Sequence, residues 1–257
     1  MNQAAPSSLR RRDQNLLLAS FLALVLLAWA YLFYLNDNMI GMHAGLRPWT
    51  IIDCATMFLM WTVMMVGMMV PSAMRAVLIF ARIAARGQHE KRLIAPAYIF
   101  GLGYLLIWTL FSAAATVLQW GLERAALLSP MMVSSSNEMG AALLIAAGMY
   151  QLTPLKDVCL KHCQSPVMFL ADNYKRGLVN AVLLGLKHGS YCLGCCWVLM
   201  GLLFLGGVMN LLWILAISLF VCAEKLLPSS VRSTQLSGGI MIVAGIIYFA
   251  GYTIEWS

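Results

Sequence analysis

The sequence reads as an all-α fold: a polytopic helical membrane protein of about seven transmembrane helices with its N-terminus in the cytoplasm. Three observations carry that reading. Of 257 residues, 61% are hydrophobic and 11% charged, whereas soluble domains run at about a quarter charged. The apolar residues gather into runs of the length a bilayer's hydrocarbon core requires. The net charge of +7 is spread as short basic clusters between those runs, a pattern that orients spans in a lipid bilayer and excludes a nucleic-acid-binding face. Residues 1–257 form one transmembrane helical domain on this reading.

The first run, 16–35, follows Arg10, Arg11 and Arg12. Its length gives about 30 Å of helix, enough to span. Ala28-Trp29-Ala30 has the form of a cleavage site, but the run exceeds the roughly 7–15 apolar residues of a signal peptide and is expected to stay as an anchor. A polar connection then carries Met39, Met42 and His43. The second span, 51–73, is expected to be broken or kinked at Pro71. The third, 95–120, follows a loop with Arg82, Arg86, Lys91 and Arg92. A short fourth span, 139–152, ends at Thr153-Pro154. The fifth is placed at 190–208, with 178–186 as a separate interfacial helix or re-entrant arm. That break keeps Lys187 at an interface; one continuous tilted helix is the alternative, and it would bury His188–Met200 near mid-membrane. Spans at 210–227 and 237–256 complete the set. With the N-terminus inside, every Lys and Arg except Arg47 and Arg124 falls at or near the cytoplasmic side, and the C-terminus lies outside.

Within the fifth run, His188–Met200 reads HGSYCLGCCWVLM. Residues three and four apart share a helix face, so Cys192 sits beside Cys195 and Cys196, with His188 one turn earlier. Gly189 and Gly194 would let another helix come close. Buried cysteines can act as small apolar residues, but three beside a histidine point to a soft-metal thiolate site. A second cluster, Cys159-Leu160-Lys161-His162-Cys163, presents Cys159 and Cys163 from one turn. His162 is a further candidate pointing to another sector. This loop falls on the cytoplasmic side, where thiols stay reduced. The odd count of seven cysteines does not fit a disulfide scaffold.

The second span carries Met57, Met60, Met64, Met65, Met68, Met69 and Met74. Met57, Met60, Met64 and Met68 form one stripe at helical spacing. Such stripes usually serve packing; this one runs from the outer loop towards the inner cysteines, and Met64 and Met68 would form an approach path for a soft ion. Thioether and thiolate ligands select Cu(I). Zinc, which prefers a closed set of four S/N ligands, is the other ion this inventory fits. Glu224 is expected to pair with Lys187 or Lys225, and Cys54 to be a buried thiol. His89, among basic loop residues, is assigned nothing. No phosphate-cradling loop, protease triad or pair of catalytic carboxylates appears, so the chain is not expected to be an enzyme.

Three motifs resemble a family of bacterial integral membrane proteins predicted to bind metal, some of which are regarded as membrane copper chaperones supplying a tyrosinase-type copper oxidase. They are Met68-Met69-Val70-Pro71; Gln151-Leu152-Thr153-Pro154-Leu155-Lys156 with Cys159-Leu160 and Cys163; and Tyr191-Cys192-Leu193-Gly194-Cys195-Cys196-Trp197. Glu224-Lys225 is also similar. The resemblance implies copper as cargo, a cuproprotein acceptor and a bacterial inner membrane. The expected ligands are Cys192, Cys195 and Cys196, with His188 beside them, Cys159 and Cys163 as exchange partners, and Met64 and Met68 on the approach. Two rivals are a thiol–disulfide oxidoreductase using Cys192–Cys195 with Cys159/Cys163, and a structural subunit whose cysteines merely pack.

Overall fold

A computed structural model of the chain describes residues 11–39, 49–85, 94–125, 137–227 and 231–251, without the side chains at 38–39 and 231–233. Met42, His43, His89, Arg10, Arg47, Arg86, Lys91 and Arg92 lie outside the described residues, as do the side chains of Met39 and Arg232. Among the described residues the regular elements are all helices. They are α1 (Arg11–Met39), α2 (Ile51–Ala85), α3 (Ala95–Arg124), α4 (Asn137–Gln151), α5 (Pro154–Gln164), α6 (Pro166–Asn173), α7 (Leu178–Gly201), α8 (Leu203–Gly206), α9 (Leu211–Leu226) and α10 (Val231–Phe249).

Four stretches are long and apolar enough to cross a membrane: Arg11–Asp37, Ile51–Ala85, Ala95–Arg124 and Leu178–Gly206. A shorter apolar helix covers Thr234–Phe249. The helices over the remaining expected spans are α4, of 15 residues, and α9, of 16, both below the ~20 that one crossing takes. The outward faces are apolar: Leu26, Leu27, Leu110, Val117, Leu212 and Leu219 are all exposed.

Two helices run further than the sequence reading places them. α2 continues past residue 73 to Ala85, through Pro71. Proline costs the helix one backbone bond, but the expected break does not occur, and Met68, Met69, Val70 and Ala73 around it are all buried. α7 is a single helix from Leu178 to Gly201, uninterrupted at Lys187 and His188. The charge that argued for a break is met locally. Lys187 Nζ donates to Asn173 Oδ1 on α6 at 2.7 Å and lies 5.4 Å from the centroid of the Phe169 ring.

α3 and α7 form one of the two most extensive helix pairs, α4 and α10 the other. A Cβ on Gly103 would collide with the Val182 carbonyl, and one on Gly185 with the Phe100 carbonyl, so glycine at both positions lets the α3 and α7 backbones touch. α5 begins as its sequence dictates. Thr153 is the N-cap, its Oγ1 accepting from Lys156 N at 3.4 Å, and Pro154 occupies the first turn, where no N–H is needed.

Aromatic contacts fix which helix ends lie together. Phe80 stacks on Phe100 at 4.7 Å, Phe21 on Tyr98 at 6.1 Å, and Tyr174 meets Phe80 edge-on at 5.9 Å. Arg11, Arg12, Arg82, Lys175 and Arg176 therefore share one end of the bundle. At the other, Trp49 Nε1 donates to Glu123 Oε2 at 2.7 Å, tying the start of α2 to the end of α3 beside Arg124.

Candidate metal centre

The centre is built where α2, α3, α5, α7 and α9 meet. α7 supplies Cys192, Cys195 and Cys196, all buried, on the face that the three- and four-residue spacing dictates. The Cys195 and Cys196 thiols both donate to the Cys192 carbonyl, at 3.1 and 3.0 Å. α5 lies across this face. Cys163 Sγ is 3.9 Å from Cys195 Sγ. Cys159 Sγ sits against Gly194, only 2.8 Å from where a Cβ would be. Gly194 thus admits a thiol from α5, and the Tyr150 hydroxyl donates to its carbonyl. Burial pushes the Cys159 thiol up, because a thiolate loses hydration there.

α5 is held in this position by a buried ion pair. Lys156 Nζ donates to Glu224 Oε1 and Oε2 at 3.0 and 2.8 Å. Gln151 Nε2 donates to Glu224 Oε1 at 3.1 Å, and Gln164 Nε2 to the Glu224 carbonyl at 2.7 Å. Glu224 is therefore paired with Lys156, not with the expected Lys187 or Lys225. Sequence proximity hid this, because the α4–α5 corner brings Lys156 to α9 from a distant stretch of chain.

Lys225, freed from that role, points the other way. Its side chain is buried, and Nζ donates to Cys192 Sγ at 2.9 Å, Cys196 Sγ at 3.5 Å and Met69 Sδ at 3.6 Å. The Tyr104 hydroxyl on α3 lies 2.9 Å from Cys192 Sγ and donates to the Met69 carbonyl at 3.2 Å. Lys225, Tyr104 and Met69 join this cluster, and none of the three was among the ligands expected from the sequence. A lysine inside an apolar run is itself a site signal, but Glu224 beside it drew the simpler reading of a salt bridge.

The expected methionines are present in the same core. Met60, Met64, Met65, Met68 and Met69 are all buried and packed in one cluster with Cys192, Cys195 and Cys196. Met69, off the Met57-Met60-Met64-Met68 stripe, is the one whose sulfur accepts from Lys225. At the far end of the stripe, Gln119 Nε2 donates to Met57 Sδ at 3.7 Å and to Glu123 Oε1 at 2.9 Å, while Trp61 Nε1 donates to Gln119 Oε1 at 2.7 Å.

His188 is buried among Phe100, Tyr104 and Phe169, and its Nδ1 has no hydrogen-bond partner among the described residues. His162 is committed elsewhere: Nδ1 is 2.8 Å from the Val158 carbonyl, and the ring stacks on Tyr191 at 4.2 Å. Cys54 is exposed, not buried; it lies in the first turn of α2, where Ile51 and Ile52 also stand clear of neighbours. Cys222 is half-buried and, like Cys54, stands outside the core that holds the cysteines of α5 and α7. All seven cysteines are free thiols. Among the described residues no three His, Cys, Asp or Glu side chains converge closely enough to hold a metal ion. What converges is a mixed set of thiol and thioether on one ammonium. Soft sulfur donors and an orphaned imidazole nitrogen suit a soft monovalent ion.

No curated protein and no solved structure matches the chain. The model of a family described as a copper chaperone matches residues 58–248, a stretch that takes in most of α2 and every residue of the sulfur cluster. The chain belongs to the PpoB2 copper chaperone family.

Proposed function

We propose that the chain is a seven-span protein of the bacterial inner membrane, N-terminus inside, that binds Cu(I) and hands it to a partner cuproprotein. The core ligands are Cys192, Cys195 and Cys196, with His188 beside them. Cys159 and Cys163 act as exchange partners, and Met64 and Met68 line the approach. One observation carries the reading: two cysteine motifs far apart in sequence meet in one buried cluster, with Cys163 Sγ 3.9 Å from Cys195 Sγ. Apolar packing alone has no need of five thiols from two motifs at one place. Two- or three-coordinate Cu(I) can exchange sulfur ligands singly, so α5 would take the ion from α7 without releasing it to water. Four long apolar helices with exposed Leu and Val faces support insertion in lipid. The role is binding and transfer rather than catalysis.

The test is metal analysis of the purified chain. About one Cu(I) per chain is expected, absent from a C192S/C195S/C196S variant, and passed to an apo tyrosinase-type oxidase on mixing. Zinc in place of copper would overturn the choice of ion. A metal-free chain that cycles between dithiol and disulfide at Cys163–Cys195 or Cys192–Cys195 would replace this reading by the oxidoreductase.

A further inference from the structure

Lys225 stands at an unusual place for a lysine. Its Nζ is the focus of three sulfurs from two other helices: Cys192 and Cys196 on α7 and Met69 on α2, at 2.9, 3.5 and 3.6 Å. A buried ammonium needs a counter-charge. The carboxylate next to it in sequence, Glu224, is taken by Lys156 at 2.8 Å, which leaves the sulfur of Cys192 as the anion nearest to Nζ. A simple ion pair would end there. The thioether of Met69 is a poor acceptor for an ammonium and a good ligand for a soft cation, so its presence in the set is explained by an ion other than lysine's.

We propose that the ammonium of Lys225 holds the place of the cargo ion in the copper-free protein, and that Cu(I) enters by displacing it from Cys192, Cys196 and Met69. This rests on the copper reading above and adds Met69 and Lys225 to the site. Cys196 gives up its thiol proton to solvent as it ligates, so the site then sets two thiolates against Cu(I) and the ammonium that Lys225 keeps, and its charge is balanced before and after. A divalent ion would leave an excess positive charge in a buried site. Metal–thiolate bonds are about 2.3 Å, so the two more distant sulfurs close in by roughly 1 Å when the smaller ion takes the position. The displaced ammonium has somewhere to go: the Trp108 ring centroid lies 6.0 Å from Nζ, within reach of a cation–π contact. The lysine thereby weakens copper retention and makes the ion easier to hand on.

The test is a competition titration of the purified full-length chain against a colorimetric Cu(I) chelator. A placeholder competes with the ion, so Lys225→Leu, which adds no ligand, is expected to bind Cu(I) roughly tenfold or more tightly than wild type and to release it more slowly. If Lys225 instead only neutralises a copper-thiolate complex, the same variant binds more weakly. Unchanged or weaker binding overturns the proposal. Copper K-edge fine structure on the loaded wild type gives a second measurement that does not depend on the lysine variant folding. One sulfur neighbour is expected to disappear in Met69→Leu; an unaltered shell overturns the assignment. A wild type that takes no Cu(I) from the chelator sinks the copper reading itself. Wild-type binding with either adverse result sinks only the placeholder.

Discussion

At the scale of single residues, two buried lysines solve the same problem with different partners. Lys156 is 0% exposed and meets both oxygens of Glu224, itself 10% exposed. Gln151 and Gln164 add a hydrogen bond each to that residue. Removing one member of such a pair leaves a buried charge uncompensated, at ~3–5 kcal/mol, whereas an apolar replacement of both can be nearly neutral. Lys156→Met is therefore expected to lower the thermal midpoint in detergent well below that of the double variant Lys156→Met with Glu224→Met. Additive losses would show instead that the two residues are uncoupled. Because this pair latches α5 against α9, the single variant is also expected to slow copper transfer between the two cysteine motifs while binding persists. Among the described residues Lys225 meets sulfur rather than a carboxylate, so the two lysines differ in kind: one fastens an element, and the other, on the proposal above, occupies a site.

At the scale of elements, the contacts that position the cysteines are backbone-close, and glycine makes them possible. An alanine at Gly185 gains about 1 kcal/mol of helix propensity, but its Cβ meets the backbone carbonyl of Phe100, which no rotamer change can relieve. Overpacking of this kind costs about 1–3 kcal/mol and wins. Gly185→Ala is expected to melt earlier than wild type and to loosen α3 from α7, and with it the Tyr104 contact to Cys192; a variant that melts at or above the wild-type midpoint would show that the helices can slide apart freely. Gly194→Ala is milder, since the obstacle is the Cys159 thiol at 2.8 Å. It is expected to leave stability within about 1 kcal/mol and to halve or worse the rate at which Cys159 and Cys163 accept copper from α7, read by stopped-flow transfer. Much of this level was legible in the sequence. The end of the fourth span at Thr153-Pro154, the shared face of Cys192, Cys195 and Cys196, and the methionine stripe of α2 all follow from local spacing. What was not legible depended on partners distant in sequence. The continuity of α7 needs Asn173 and Phe169 to receive Lys187, and the pairing of Glu224 needs the α4–α5 corner to deliver Lys156. Met69 looked like a residue beside the stripe because nothing local says that Lys225 and Cys192 wait on that side.

At the scale of the whole molecule, charge is sorted by end. Arg11, Arg12, Arg82, Lys175 and Arg176 gather where Phe80, Phe100, Tyr98 and Tyr174 meet, while Arg124 lies at the opposite end with Trp49, Glu123 and the exposed Cys54. This sorting is what the positive-inside rule uses to orient a bundle. The sulfur cluster lies between the ends: Cys192 is roughly 21 Å along α7 from its first residue at 1.5 Å per residue. An ion travelling from the Met57 end would pass a run of buried thioethers before meeting thiols, and on the proposed orientation that route leads inward. The orientation is open to a direct measurement. In a variant whose only cysteine is Cys54, a membrane-impermeant maleimide added to intact spheroplasts is expected to label the chain. In one whose only cysteine replaces Lys175, the same reagent is expected to label only after the membrane is disrupted. The converse pattern would turn the molecule over, place the basic end outside, and reverse the direction in which the methionine run leads. Labelling of both variants in intact cells would mean that these two ends are not separated by a bilayer, and the membrane reading of the four long helices would fall with the route.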